Sequence, residues 1–446
     1  MTTIKPRLLK GFRDYLPAQM ILRSRAMQTI RNVFESFGFL PLDTPTLEYA
    51  EILLGKYGPD AERLLYKFTD HGDRDVCMRY DLTVPLARVV AQYPDLLKPF
   101  KRYQIAPVWR GENTSRGRYR EFVQCDVDIV GTSSLLADLE CVWVGYEVMQ
   151  ALGVPRFRIH LSHRKLLEGL AAFLGGGLTK AQVLGVFRTV DKLPSQGRER
   201  VLELLHTDCG LDDAQVEAVF RFLDLAATEC DILVLIDRLE AFFHEVPVAL
   251  EGVSDLRRIF VGAQQAGLDL ARLHLDLTIA RGLDYYTGAV FETFLEDLPG
   301  LGSVMSGGRY DGLIGFFARQ DLPAVGISLG LDRLFAGLEE LGIMKPCSAT
   351  ARVLVTQLEP ALEPDYLALA ARLRRAGIPT ELYHQCDSLG KQLQFADRRG
   401  IPYALILGGN ERANGVIGLK ILAEQRQETV AFTGIVDRLN ALDASR

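Results

Sequence analysis

Residues 121–131 read EFVQCDVDIVG. At a period of two, Phe122, Gln124, Asp126 and Asp128 fall on one face of a strand, and Val123, Cys125, Val127 and Ile129 on the other. The second face belongs to a core. The first sets an aromatic, an amide and two carboxylates in register. That suits a ligand floor, although alternating polar residues are also what the wet face of an antiparallel sheet carries. The stretch before it, from Phe100 to Arg110, is a matching β-rich run, and the charged loop between the two closes a hairpin. The fold is therefore expected to be organised on an antiparallel platform.

Outward from this hairpin, Leu22, Ala26, Met27, Ile30, Val33, Phe34 and Phe37 form a helical stripe over residues 19–37 that ends at Gly38. FLPLDTPTLE, residues 39–48, is expected to be extended, punctuated by Pro41 and Pro45. Residues 134–152 return to a helix that ends at Gly153. From 165 to 268, Leu-, Ala- and Glu-rich segments at helical spacing predict a helical insertion. Strand alternation resumes with Leu273, Leu275, Leu277 and Ile279. After MKPCSATA, a linker at 344–351, the runs VLVTQ, TELYH, YALILG, VIGLKIL and ETVAF alternate partly with helices, the mark of a small α/β domain.

At 446 residues the chain exceeds one ordinary core, so two or three domains are expected. Its 48% hydrophobic and 24% charged residues are ordinary soluble composition. No run of 18 apolar residues predicts a membrane span, and the start, MTTIKPRLLKGFRDY, lacks the apolar region of a secretory signal. A cytoplasmic protein is expected. The cysteines at 77, 125, 141, 209, 230, 347 and 386 form no CxxC pair and read as inert reduced thiols. His160 and His163 in HLSHRK have no third ligand nearby, so they read as surface histidines and no metal site is expected. A net charge of −6 disfavours bulk attraction to nucleic acid and leaves polyanions to local clusters such as RGRYR, residues 116–120.

Several arginines are placed to meet phosphate. The strand before the loop ends in VWRGEN, which places Arg110 at the mouth of the hairpin beside Arg116, Arg118 and Arg120, while Arg281 and Arg333 adjoin glycine turns. No GxxxxGK[ST] occurs and no GxGxxG follows a strand, so the usual glycine-loop cradles are missing. Guanidinium forks can replace them, because they bind phosphate oxygens bidentately and stay charged. In SGGRYDGL, residues 306–313, the pair Gly307–Gly308 lets backbone approach a ligand closely. TIARGLDYYTGAVFE, residues 278–292, crowds a cation, an acid and two phenols into six positions.

Taken together these segments resemble the histidyl-tRNA synthetase family of class II aminoacyl-tRNA synthetases. KGFRDYLP is similar to its N-terminal signature and FLPLDTPTLE to the first class II motif. RYQIAPVWRGENTSRGRYREFVQCDVDIVG resembles the second motif and VGISLGLDRL the third, while ARGLDYYTGAVFE and SGGRYDGL match the two histidine-specific signatures. MRYDLTVPLAR and RGRYREF lean toward the branch that includes the eukaryotic enzymes, although the loop GENTSRGR lacks the proline of eukaryotic members.

The resemblance implies an α+β catalytic domain built on an antiparallel class II synthetase sheet at 1–164 and 269–343, with a helical insertion domain at 165–268. A linker at 344–350 and a C-terminal α/β anticodon-binding domain at 351–446 would follow. It implies adenylation of L-histidine by ATP with Mg²⁺, then transfer to tRNA(His), by a homodimer. Arg281 and Arg110 would be catalytic at the α-phosphate, where charge builds during in-line attack. Arg118 and Arg333 would hold the outer phosphates, and Phe122 with Arg333 would sandwich adenine. Asp128 and Tyr286, with Tyr285 nearby, would meet the imidazole nitrogens, each of which needs a polar partner. Asp81, Thr83 and Gln124 would take the α-ammonium, Gly307 and Gly308 would let the ligand approach, and Arg116 and Arg120 would face the tRNA acceptor stem. Asp81 and Asp128 stand where many bacterial members carry glutamate. The rival is a non-catalytic paralogue, either a regulatory subunit of histidine biosynthesis or a kinase-fused sensor of uncharged tRNA. The first usually lacks the C-terminal domain, and 446 residues leave no room for a kinase.

Overall fold

The computed structural model describes residues 4–56, 62–175, 178–190, 192–226, 231–279, 286–318, 321–344 and 349–444. Arg281 and Tyr285, two of the expected site residues, lie outside the described residues, as does most of the expected linker. The chain divides into two units, Met1–Arg13 with Met27–Met344 and Asp14–Ala26 with Lys345–Arg446.

The first unit is built on eight strands: β1 (Leu40–Pro41), β2 (Phe100–Trp109), β3 (Glu121–Val130), β4 (Phe157–His163), β5 (Leu273–Leu275), β6 (Ala289–Leu295), β7 (Met305–Arg309) and β8 (Ala324–Gly330). Their order across the sheet is β1-β2-β3-β8-β7-β6-β4-β5. The run from β2 to β4 is antiparallel throughout, and a short parallel strand closes each edge. The hairpin expected between Phe100 and Gly131 is β2–β3, with Phe100 opposite Val130 and Trp109 opposite Glu121.

Both faces of β3 are buried. Val127 and Ile129 pack in the core, as their alternation predicts, but Gln124, Asp126 and Asp128 are also buried, at 7%, 1% and 3% exposure. The polar face is therefore dry, which removes the wet-face reading and makes each polar group's partner an energetic question. On the apolar face the helix Leu135–Ala151 lies close: Gly145 leaves room for Met305 and Ile327, and Asp138 pairs with the buried Arg309 of β7. Between β4 and β5 the chain runs through helices from Arg164–Phe173 to Pro247–Gln265, so the segment expected to be helical is helical where it is described. One of them, Asp213–Asp224, starts on a reciprocal cap: the Asp212 side chain accepts from Gln215 N and the Gln215 side chain from Asp212 N.

His160 and His163 are not surface histidines. Period two sends them to opposite sides of β4: His163 shares the core face of Phe157, Ile159 and Leu161 at 2% exposure, accepts the Lys165 amide as a helix cap and lies 3.3 Å from Asp255. His160 faces the polar side, with Nδ1 2.7 Å from Asp276. Cys77, Cys125, Cys141 and Cys209 are buried free thiols, whereas Cys386 is exposed.

The second unit carries five strands, β9 (Val353–Val355), β10 (Thr380–Leu382), β11 (Tyr403–Ile406), β12 (Val416–Ile421) and β13 (Arg426–Ala431), in the order β10-β9-β11-β12-β13. The first three are parallel and the last two antiparallel. The helices Glu363–Arg375 and Ile435–Ala444 supply Tyr366, Leu369, Leu373, Ile435 and Leu439 to the core on the sheet's Val353, Val355, Leu405 and Leu419. No helix among the described residues is long and apolar enough to cross a membrane.

Candidate functional site

Antiparallel register fixes which side chains share the polar face. Residues directly opposite each other point the same way, so one row runs Arg102, Asp128, Gly326, Gly308, Val290, and the next runs Gln104, Asp126, Ser328, Ser306, Glu292, His160.

The first row carries two glycines that polar side chains overlie. A side chain on Gly326 would put its Cβ 2.1 Å from Asp128 Oδ1, and one on Gly308 would lie 2.6 Å from the Ala289 carbonyl and 2.8 Å from the Tyr286 ring. The Asp128 carboxylate and the Tyr286 ring thus lie directly on the side-chain-free backbone of two neighbouring strands, a glycine-floored strip called the slot below. Gly307 behaves differently: it pairs with Ile327 and so belongs to the apolar face, leaving Gly308 as the glycine of the pair that floors the slot.

Asp128 is held firmly. The Arg102 guanidinium, 0% exposed, lies 2.6 Å from its Oδ2, and the buried Tyr310 hydroxyl donates to its Oδ1. Burial raises the Asp128 carboxyl above its ordinary range, while Arg102 and Tyr310 pull it back down. Arg102 also donates to the Leu82 carbonyl at 3.1 Å, and its Nε and Nη1 have no hydrogen-bond partner among the described residues. Neither Arg102 nor Tyr310 figures among the expected site residues. An arginine opposite an acid across a predicted hairpin was the available signal for Arg102. Tyr310 lies in SGGRYDGL, but its reach to Asp128 spans 182 positions.

Asp126 sits one row over, and burial pushes its carboxyl up to about 7 against the opposing pull of Arg102. The hydroxyl of Ser328, directly across the ladder, exerts a weaker downward pull on it and itself accepts from Gln124 Nε2 at 2.7 Å; no close hydrogen bond reaches either Asp126 oxygen among the described residues. Tyr286 is half-buried, and burial together with Glu292, Asp128, Asp126 and Asp81 raises its phenol, so it stays a neutral donor. Asp81 caps the helix Thr83–Gln92 by accepting the Val84 amide at 3.1 Å, which places Asp81 and Thr83 together at that helix start.

The expected phosphate arginines fall into two sets. Arg110 stacks between rings, its guanidinium 4.2 Å from the Tyr80 centroid and 5.2 Å from that of Phe122, and its Nε donates to the Tyr80 carbonyl at 3.1 Å. Arg110 and Arg118 both approach Glu112, at 3.8 and 3.9 Å. Arg333 donates to the Ser303 carbonyl at 2.7 Å, and the loop glycine Gly117 sits against its stem, so the hairpin loop and the helix Leu331–Glu340 meet there. The neighbouring Asp332 accepts the Val123 amide at 2.8 Å, pinning that helix to β3. Arg116 pairs with Glu340 at the end of that helix, and Arg120 donates to the Glu112 carbonyl at 3.1 Å, so the first ties the loop to the helix and the second ties the loop to itself.

The sequence model of the family described as "Histidyl-tRNA synthetase" matches residues 11–334, and that of "Anticodon binding domain" matches 352–442. A histidine–tRNA ligase of Rhodopirellula baltica is 48% identical over 431 residues, covering 96% of each chain, and one of Wolinella succinogenes is 41% identical over 94% of each. Among solved structures, a histidyl-tRNA synthetase from a Nostoc species superposes with a TM-score of 0.90 at 33% identity, over 98% of this chain and 100% of that one. A Bacillus halodurans protein described as an ATP phosphoribosyltransferase regulatory subunit/histidyl-tRNA synthetase shares the fold, with a TM-score of 0.74 at 20% identity over 89% of this chain and 97% of that one. These relatives are bacterial, so the expected lean toward the eukaryotic branch finds no support in them. The chain belongs to the histidyl-tRNA synthetase family.

Proposed function

We propose that the glycine-floored slot between Asp128 and Tyr286 takes the imidazole of L-histidine, and that the arginines beside it hold ATP while the histidine carboxylate attacks the α-phosphate. The overall reaction is that of a histidine–tRNA ligase: histidyl-adenylate and pyrophosphate form first, and histidine then passes to the 3′ end of tRNA(His). The observation that carries the slot assignment is its floor. Two adjacent glycines let an acid and a phenol come down close to the sheet next to each other, which supplies the two polar partners that a flat ring with a nitrogen at each edge requires. An imidazole is such a ring, and a site built to hydrogen-bond it rejects amino acids lacking those nitrogens.

The other roles follow from charge. Asp81, Thr83 and Gln124 receive the α-ammonium, which needs acceptors. Arg110, kept flat by Tyr80 and Phe122, is preorganised for phosphate oxygens, and Glu112 holds Arg110 and Arg118 near each other until a triphosphate competes for them. Arg281 acts where negative charge grows at the α-phosphate, and Arg333 serves the outer phosphates. Phe122 and Arg333 would enclose adenine, and Tyr285 lies beside the imidazole. Arg116 and Arg120 shape the loop that meets the acceptor stem.

Mg²⁺ would enter with the triphosphate. It takes most of its ligands from phosphate and water and needs only one or two carboxylates, and the buried Glu292 on the polar face is a donor of that kind. When bound it neutralises charge on the phosphate oxygens. We place the enzyme in the cytoplasm as a homodimer. The exposed Leu47, Tyr49 and Phe68 on the small sheet Leu47–Tyr49, Asp75–Met78, Lys67–Thr69 supply apolar surface for that association.

ATP–pyrophosphate exchange with each amino acid in turn tests the reading, and only L-histidine is expected to support it. Arg281→Ala should slow adenylate formation by about a hundredfold with histidine affinity nearly kept, because its contribution falls in the transition state; equal loss of ground-state binding counts against that role. A chain ending near residue 350 should retain part of the exchange and lose tRNA charging. The loss of exchange would be partial because Asp14–Ala26 belong with the second unit and would be left without it. Normal charging by the shortened chain would exclude an anticodon role for residues 351–446.

A further inference from the structure

Asp126 has no part in the roles above, yet it lies on the same strand face as Gln124 and Asp128 and is buried as deeply. Around it are Gln104 and Arg102 from β2, Ser328 from β8, and its own neighbour Asp128. Asp81 approaches from the helix start, Tyr286 and Tyr310 from above the slot, and Glu292 sits further along the row. Gln104 is turned away, donating to Asp43 at 3.0 Å and Thr44 at 3.1 Å. Arg281 lies outside the described residues. Of these groups Arg102 is the cation, and it already pairs with Asp128. Two buried carboxylates facing one guanidinium leave a single negative charge uncompensated. Burying such a charge is expensive, so an apo pocket keeps a proton on one acid. Asp128 already has the Arg102 guanidinium and the Tyr310 hydroxyl, whereas Asp126 is equally buried with no close hydrogen bond and a carboxyl raised to about 7, so Asp126 is that acid.

We propose that Asp126 is a specificity-determining residue of the histidine slot: with Arg102 and Asp128 it forms a cluster one negative charge in excess, so that histidine enters together with one proton shared between its imidazole and the Asp126 carboxyl. This rests on the slot being the histidine site. No bond forms or breaks apart from the transfer of that proton from solvent. The consequence is that the slot distinguishes a ring that can carry a proton from flat rings of similar size that cannot, beyond what hydrogen bonding alone achieves.

The test is calorimetry of L-histidine binding to the full chain in buffers of different ionisation enthalpy, which counts protons exchanged. With imidazole titrating near 6.5 and Asp126 near 7, wild type should take up about 0.9 proton per histidine at pH 8 and release about 0.9 at pH 5.5, crossing zero between the two values. In Asp126→Asn the cluster is neutral and takes neutral imidazole. Uptake at pH 8 should then fall to about zero while release at pH 5.5 remains, and the roughly tenfold weakening of histidine binding per pH unit above pH 8 should disappear. Asp126→Glu should restore uptake. The α-ammonium contributes equally to each protein, so the difference between them is the readout. Asp126→Ser replaces the asparagine variant should that one fail to fold. Histidine binding with no proton uptake by wild type at pH 8, or with the same uptake by wild type and the asparagine or serine variant, overturns the proposal. No histidine binding at all overturns the slot assignment and the proposal with it.

Discussion

Gly326→Ala is expected to lower kcat/KM for histidine in pyrophosphate exchange by about a thousandfold, with most of the loss in KM. The added methyl would lie 2.1 Å from Asp128 Oδ1 and 2.8 Å from the Val127 carbonyl. The carboxylate is a side-chain end and could swing aside, but the Arg102 ion pair and the Tyr310 hydroxyl hold it from two directions. Escape therefore means either breaking a buried charge contact, which costs about 3–5 kcal/mol, or filling the slot itself. Each route removes the proposed imidazole site, and a thousandfold corresponds to about 4 kcal/mol. Steady-state exchange kinetics, with circular dichroism to verify that the sheet survives, would check it. An unchanged KM for histidine would show that the ring binds elsewhere.

The second large effect belongs to Arg102. Replacing it with methionine should destabilise the first unit by about 3–5 kcal/mol, because Asp128 would be left buried without its counter-charge. The sign of the pH dependence follows from the same contact. Burial already raises the Asp128 carboxyl above its ordinary range, and Arg102 opposes that rise. Without the guanidinium the folded protein holds the proton to still higher pH than the unfolded chain does. Stability is then lost as pH rises from the ordinary carboxylate range to the variant's elevated one. Urea unfolding at pH 5 and pH 8 should show the larger deficit at pH 8. Adding Asp128→Asn to Arg102→Met should recover most of the stability and none of the histidine activation. A single variant as stable as wild type at both pH values would mean that water or another group replaces the arginine.

Much of this was readable in the sequence, and the boundary of what was not has a physical meaning. The hairpin of β2 and β3 was legible because period-two alternation and a charged loop are local signals, and the facing of Gln124, Asp126 and Asp128 followed from that period. The helical run between β4 and β5 was legible for the same kind of reason. Gly326 was not, because a glycine inside VGISLG has meaning only once β8 is laid beside β3, a pairing between positions about two hundred residues apart. Asp332 reads as an ordinary acid in the first turn of a helix, and its bond to the Val123 amide is visible only in three dimensions. His163 was misjudged because its strand ends inside the packing of the helix Pro247–Gln265, where Gly252 leaves space for its ring. In each case local pattern gave the element, and long-range register decided what the residue does.

The bare floor of the slot constrains how this enzyme can change. Its width is set by the spacing of two hydrogen-bonded strands, about 4.8 Å, and by the absence of side chains at Gly308 and Gly326. A single base change at either floor codon can shrink such a pocket, but none there can enlarge it, since there is nothing left on the floor to trim. Variants that accept bulkier amino acids must therefore arise at the walls, through Tyr286, Tyr310 or Asp128, and pay there with the contacts proposed to tell histidine apart.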